Sequence, residues 1–222
     1  MLRHKAKKAS LDVGYVSEWN DDHFYDFTDE LEQSFSAFGS YYPLGLYAES
    51  GTGGDWIVEM IDNHSWIRIF TGTTPDTTIK VTIGELNHTN KLDLPSATFA
   101  MWINNTELAE FGFIEHDEVD LVADKRGAYF RVYGNNVYAV CGDGVDETEV
   151  LIGPVVEYSQ YKIEFHSADV RFYTEDLRSI RATISTHIPT EDLQVRIAIK
   201  TTDTTDRDIK VDAFGYTRLR VK

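Results

Sequence analysis

The sequence predicts an all-β protein, two antiparallel sheets packed face to face as a β-sandwich. Three observations carry this. From about Phe35 onward, apolar and polar residues alternate with a period of two, as strands with one buried face do. The alternating segments are separated by turn chemistry and not by long amphipathic helices. Tyr and Phe, 12 each, stand among frequent Thr and Val, residues that fit a pleated, half-buried surface.

The first 34 of the 222 residues do not share this rhythm. They are polar, charged and weakly periodic, and residues 1–34 are expected to form an extended N-terminal arm ahead of a sandwich domain at 35–222. "VSEWNDDHFYDF", Val16 to Phe27, packs four acids and one His among four rings. Trp19, Phe24, Tyr25 and Phe27 are costly to leave in water, so this stretch reads as an anchoring strap that buries them against the sandwich or another subunit. Thr28 can cap a short helical turn with Leu31 and Phe35 facing inward.

The body then reads strand by strand. "DWIVEMID", "SWIRIFTG", "TTIKVTIGEL", "SATFAMWIN", "LAEFGFIE", "EVDLVAD", "AYFRVYG" and "NVYAVCG" fill the first part. "EVLIGPVVEY", "YKIEFHS", "DVRFYTED", "SIRATIST", "LQVRIAIKTT" and "DIKVDAFGYTRLRV" complete it. Tyr161, Ile163 and Phe165 are expected to face inward, with Lys162, Glu164 and His166 outward. Ile209, Val211 and Ala213 are expected to share one face, with Lys210, Asp212 and Phe214 on the other. Trp56, Trp66 and Trp102 have apolar neighbours and are expected in the core. The separators are "GTGGD", "TGTTPDTT", "DKRG", "YGNN", "CGDG" and "TEDL". A two-sheet sandwich is the simplest way to bury so many one-faced strands.

Charge and composition exclude several classes. The net charge is −16. Four of the 21 basic residues, Arg3, Lys5, Lys7 and Lys8, lie in the first eight positions, leaving 17 against all 37 acids elsewhere. An acidic body repels nucleic acid, while the basic tip suits an acidic surface on a neighbouring copy or another structural subunit. No apolar run is long enough to span a membrane. The basic N-terminus lacks the apolar stretch of a signal peptide, so synthesis in the cytoplasm is expected. One cysteine, Cys141 in "VYAVCGDG", forms no intramolecular disulfide and reads as a buried small hydrophobe. No nucleophile elbow, P-loop or dinucleotide fingerprint occurs.

The C-terminal half is more particular. "YSQYKIEFHSADVRFYTEDLRSIRATISTHIPTEDLQVRIAIKTTDTTDRDIKVDAFGYTRLR" resembles the closing strands of the concanavalin A-like lectin/glucanase superfamily, with Pro189 in the loop between two of them. "AEFGFIEHDEVDLVADKRGAYFRVYGNNVYAVCGDG" resembles the middle of the same jelly roll. The resemblance covers about residues 35–222 as a pattern of strands and turns, without a chemical signature. The superfamily includes lectins, glycoside hydrolases, laminin G-like modules and virion structural proteins, so the fold does not choose a function. "DVGYVSEWNDDHFYDF" resembles stretches in appendage proteins of phages and archaeal viruses.

The resemblance implies three candidate chemistries. Family 16 glycoside hydrolases of this superfamily place three carboxylates on one strand, as Glu-x-Asp-x-x-Glu or one residue shorter; retaining chemistry needs two of them about 5 Å apart. Glu115, Asp117 and Asp120 of "IEHDEVD" mimic that pattern. The final acid is Asp, however, and His116 and Glu118 stand where apolar residues would pack, so a charged connection is the expected reading. Tyr129, Arg131, Tyr133 and Tyr138 of "AYFRVYGNNVYAV" form a glycan-binding candidate, rings stacking on sugar faces with Arg131 as donor. Acidic loops holding Asp143, Asp146, Glu147 and Glu149, and Asp203, Asp206 and Asp208, are the places a Ca²⁺ would sit, but neither has the spacing of a calcium motif, and no cofactor is expected. The leading expectation is a non-enzymatic structural or adhesion protein of a virion or extracellular assembly; a lectin-like module and a family 16-like hydrolase are the alternatives.

Overall fold

The computed structural model describes residues 23–26, 46–50, 55–61, 64–83, 94–104, 108–115, 121, 125–191 and 193–217. Among them are fifteen strands, every pair antiparallel, and no helix. In chain order these are β1 (His23–Asp26), β2 (Leu46–Ser50), β3 (Asp55–Ile61), β4 (His64–Phe70) and β5 (Thr78–Ile83). Next come β6 (Ser96–Asn104), β7 (Leu108–Ile114), β8 (Arg126–Tyr133), β9 (Asn136–Asp143) and β10 (Glu147–Pro154). The last are β11 (Tyr158–Phe165), β12 (Val170–Thr174), β13 (Ile180–Ile184), β14 (Gln194–Lys200) and β15 (Asp208–Thr217).

They form two sheets. One runs β13-β12-β11-β6-β15-β4-β3, with β1 also paired to β15. The other runs β10-β9-β8-β7-β14-β5-β2. Neighbours such as β6–β15 and β7–β14 are far apart in sequence, the crossing connectivity of a jelly roll. Closing such non-local pairs costs loop entropy, which the core must repay.

The core lies between the sheets and is aromatic at its centre. Phe111 and Phe130 face each other across the β7–β8 pair, their rings stacked at 5.3 Å. Phe99 of β6 meets Phe111 edge-on at 5.5 Å and Phe214 of β15 at 5.3 Å. Tyr161 of β11 sits 5.0 Å from Phe111, and Phe172 of β12 sits 5.3 Å from Phe130. These contacts join rings from both sheets, each fully buried side chain contributing about 1.5–3 kcal/mol. Cys141 is buried in this cluster, and burial pushes its thiol far above the ordinary range.

Alternation reads the inward faces correctly in β11, where Tyr161, Ile163 and Phe165 are buried while Lys162, Glu164 and His166 keep partial exposure. It fails in β15. The register with β6 slips between Val211 and Ala213, a bulge that leaves Asp212 extra and reverses the phase. Ile209 and Val211 point inward, but beyond the bulge Phe214 and Tyr216 do, not Ala213. The bulged Asp212 accepts a hydrogen bond from the Tyr158 hydroxyl at 2.7 Å.

Other expectations also change. Trp102 lies opposite Lys210 and Tyr158, on the outward face of its sheet and only half-buried, because Met101 and Ile103 take the inward phase. β2, "LYAES", pairs with β5 although its composition gave no strand signal. β1, inside the expected arm, pairs His23–Asp26 with Tyr216–Ala213 of β15, so this part of the strap adds a strand to its own sheet. Trp19, Phe27, the capped turn after Thr28 and most of "EVDLVAD" lie outside the described residues, as do the side chains of Phe24, Tyr25, Trp56 and Trp66.

Candidate functional site

The outward face of the seven-stranded sheet is unusual because charge is buried on it. The register aligns Leu151, Tyr138, Arg131, Glu110, Ala198 and Lys80 across β10, β9, β8, β7, β14 and β5. The next row is Glu149, Val140, Tyr129, Gly112, Arg196 and Thr82. In β7 the inward phase belongs to Ala109, Phe111 and Phe113, which leaves Leu108, Glu110, Gly112 and Ile114 outward. Ile114, Tyr129 and Val140 form a second, small apolar cluster on this outer side, with Tyr138 packed against it.

Around that cluster runs an ion network. Glu110 is fully buried and both of its oxygens are used. Its Oε2 accepts from Lys125 Nζ at 2.5 Å and its Oε1 from Arg131 Nε at 2.9 Å. Arg131 NH1 donates to Glu147 Oε1 at 2.7 Å and Glu149 Oε2 at 2.8 Å. Its NH2 donates to Glu147 Oε2 at 3.1 Å and to the Tyr129 hydroxyl at 3.0 Å. The guanidinium is therefore saturated. Burying these charges is expensive, and only near-complete pairing makes it tolerable.

The environment sets ionisation accordingly. Burial pushes the Tyr129 phenol far above its ordinary range; the Glu110 charge adds to this and Arg131 opposes it. Burial works against the charge on Arg131, but the bond to Glu147, then Tyr129 and Glu110, more than offset it and raise the guanidinium. The network has no room for extra atoms near its base. A Cβ on Gly142 would meet the Lys125 carbonyl oxygen at 2.1 Å. At Gly112, whose φ is +146°, it would lie 2.7 Å from the Ala128 carbonyl oxygen and the Tyr129 Cα.

The four glycan-binding candidates are brought onto one face but divide by exposure. Tyr129 is fully buried and cannot stack on a sugar; its hydroxyl is spent on Arg131 and Glu147. Arg131 is committed to carboxylates, not free to donate to a ligand, which corrects the donor role. Tyr133 is 60% exposed and Tyr138 partly so. Tyr133 pairs with Asn136 and Tyr138 with Arg131, which makes the two rings diagonal neighbours on the β8–β9 hairpin. Leu151, 58% exposed, stands directly opposite Tyr138.

Of the three carboxylate candidates only Glu115 lies among the described residues. Glu115 Oε1 accepts the Arg126 backbone N–H at 2.8 Å, and its backbone N–H returns a bond to the Arg126 carbonyl at 3.0 Å. Glu115 thus closes the end of the β7–β8 ladder. Asp117 and Asp120 lie outside the described residues. Glu110, which the sequence reading passed over, is the buried acid of this strand. Its signal was the apolar company on both phases of "LAEFGFI": a strand buried on both faces must pair any acid it carries.

The acidic loops use their oxygens on the chain itself. Asp143 accepts the backbone N–H groups of Val145 and Asp146 at 2.9 and 3.0 Å, and the Asp146 bond, then the Val145 bond, hold its carboxyl below the usual range. Asp206 and Asp208 hold Arg68 at 3.3 and 2.8 Å, and Asp206 also accepts the Gly72 N–H. Among the described residues no group of three or more His, Cys, Asp or Glu is placed to hold a metal ion. No helix among them is long and apolar enough to cross a membrane.

No protein-family model matches this chain, and no curated protein matches it by sequence. Solved structures do match. The exoplasmic/lumenal domain of VIP36, in its Ca²⁺/Man3GlcNAc-bound form, aligns with a TM-score of 0.56 and 10% identity over 80% of this chain and 84% of that one. The β-glucanase of Bacillus licheniformis aligns at 0.57 and 11% identity over 88% and 97%. A protein of unknown function from Shewanella oneidensis MR-1 aligns at 0.61 and 11% identity over 90% and 89%. The sandwich is a concanavalin A-like jelly roll. Within that fold, lectin and glucanase frameworks fit this jelly roll about equally well, so its chemistry must be read from its own side chains.

Proposed function

We propose that this concanavalin A-like chain is a non-enzymatic adhesion or structural module of a virion or other extracellular assembly, and that it contacts carbohydrate through Tyr133 and Tyr138. The observation that carries the reading is the split of the outward face. Glu110 and Glu147 are held by Lys125 and Arg131, while exposed Tyr133 and partly exposed Tyr138 lie beside Leu151. A glycosidase needs a carboxylate free to attack and another free to donate a proton. Glu110 has both oxygens in ion pairs, and Glu115 is tied to Arg126. Exposed phenol rings, by contrast, offer CH–π contact with sugar faces and a hydroxyl for hydrogen bonding. VIP36 in its Ca²⁺/Man3GlcNAc-bound form, and the carbohydrate recognition domain of Emp47p, lend support by fold. Partners in the assembly would be other copies of the chain or other structural subunits.

The test is a glycan array followed by calorimetry on wild type, Tyr133→Ala and Tyr138→Ala. Saccharide binding that falls at least tenfold in either variant, with no release of reducing ends from any glycan, is the expected result. Sugar turnover by the wild type, or binding indifferent to both substitutions, overturns the proposal.

A further inference from the structure

Glu149 gives the tyrosine surface a charge preference. It lies on β10 one outward position from Leu151, and opposite Val140, the outward neighbour of Tyr138 on β9. Its side chain is 36% exposed. One oxygen, Oε2, accepts from Arg131 NH1 at 2.8 Å, which fixes the carboxylate in place. Its Oε1 takes no hydrogen bond among the described residues. Arg131, which anchors it, has every donor engaged within the protein. Glu149 therefore stands as a fixed negative charge at the edge of the Tyr138 and Leu151 surface. The rest of the chain is acidic too, at −16 overall.

We infer that the Tyr133–Tyr138 surface takes saccharides that bring donors, with Glu149 as the specificity-determining residue: amine-bearing sugars first, uncharged sugars next, and sugars with carboxylate or sulfate excluded. This rests on the glycan-binding reading above. A ring seated on Tyr138 lies beside a preorganised acceptor, and an ammonium there gains a charge-assisted bond that a hydroxyl does not. A carboxylate there meets the like charge of Glu149.

The experiment uses three oligosaccharides of similar length: deacetylated chitotetraose, N-acetylated chitotetraose and tetragalacturonate. Each is titrated against the full chain, against Glu149→Gln and against Tyr133→Ala. Wild type is expected to bind the amine form about two- to fivefold more tightly than the acetylated form, the scale of a half-exposed ion pair. The advantage should shrink as salt rises, and tetragalacturonate should not bind. Glu149→Gln should erase the amine advantage, while Tyr133→Ala should weaken both chito-oligosaccharides together. Equal binding of acidic and amine forms, or an amine advantage that survives Glu149→Gln, overturns the charge preference and leaves the glycan reading standing. Binding of none of the three, together with an empty glycan array, removes both.

Discussion

The two faces of the seven-stranded sheet are both buried near β7 and β8, but by opposite physics. On the inner face Phe111, Phe113 and Phe130 meet rings from the other sheet, among them Tyr161 and Tyr216, and the contacts are apolar ring packing. On the outer face Glu110, Lys125, Arg131 and Tyr129 are almost as dry, and each is held by specific hydrogen bonds. The inner face tolerates exchange of one apolar residue for another of similar volume. The outer face tolerates loss of Glu110, Lys125 or Arg131 poorly, because each removal parts a buried charge from a partner. Stability is spread over the core but concentrated in the network.

Removing one side chain from each face breaks the comparison most directly. Phe111→Ala should cost about 3–5 kcal/mol through lost burial and a cavity. Glu110→Ala should cost a similar amount, about 3–5 kcal/mol, by taking from buried Lys125 the carboxylate beside it and from Arg131 Nε its acceptor. Either should lower Tm on the order of 10 °C by calorimetry. The faces then separate in the double variant Glu110→Leu/Lys125→Met. It should be more stable than Glu110→Ala, since matched apolar groups replace a matched pair; a cost equal to or above that of Glu110→Ala would show the network is not governed by charge pairing.

Smaller effects sharpen the contrast. Gly142→Ala should cost about 1–3 kcal/mol by pushing back the Lys125 backbone that delivers its ammonium to Glu110, read by chemical denaturation. Acid should loosen the loops and surface ion pairs before the core. Asp143, Asp176 and Asp203 are held below the usual range chiefly by backbone N–H bonds, and Glu164 is held low against its burial by Lys162. Depressed folded values mean their contribution is whole above the unfolded carboxylate range, about pH 4, and is lost as pH falls through the folded values. Hydrogen exchange at Val145, Asp146 and Thr205 should therefore rise below about pH 4 while core amides stay protected. Smallest is Tyr133→Ala, within about 0.5 kcal/mol of wild type in stability, because an exposed ring contributes little to folding.

Legibility in the sequence followed the same division. The strands "YKIEFH" and "AYFRVY" were readable because an apolar-in, polar-out alternation is a local signal. Asp212 defeated that signal, since a bulge leaves no mark on composition and yet turns Phe214 inward. The candidate site was half legible. Tyr129, Arg131, Tyr133 and Tyr138 do share a face, but their roles split by burial, which depends on β7 and β10 lying to either side. Glu110 was passed over because its partners, Lys125, 15 residues away, and Arg131, 21 away, are joined to it only by sheet register.

What the sequence by itself determined is the all-β class, nearly every described strand of the body and the inward phase of β11 and of β15 up to its bulge, because period-two hydrophobicity is written in neighbouring residues. The tertiary structure alone decided which acid is buried, which tyrosine is free and where β1 rests. Those outcomes depend on strands distant in the chain being brought edge to edge, and burial and charge pairing are properties of that meeting, not of any segment alone.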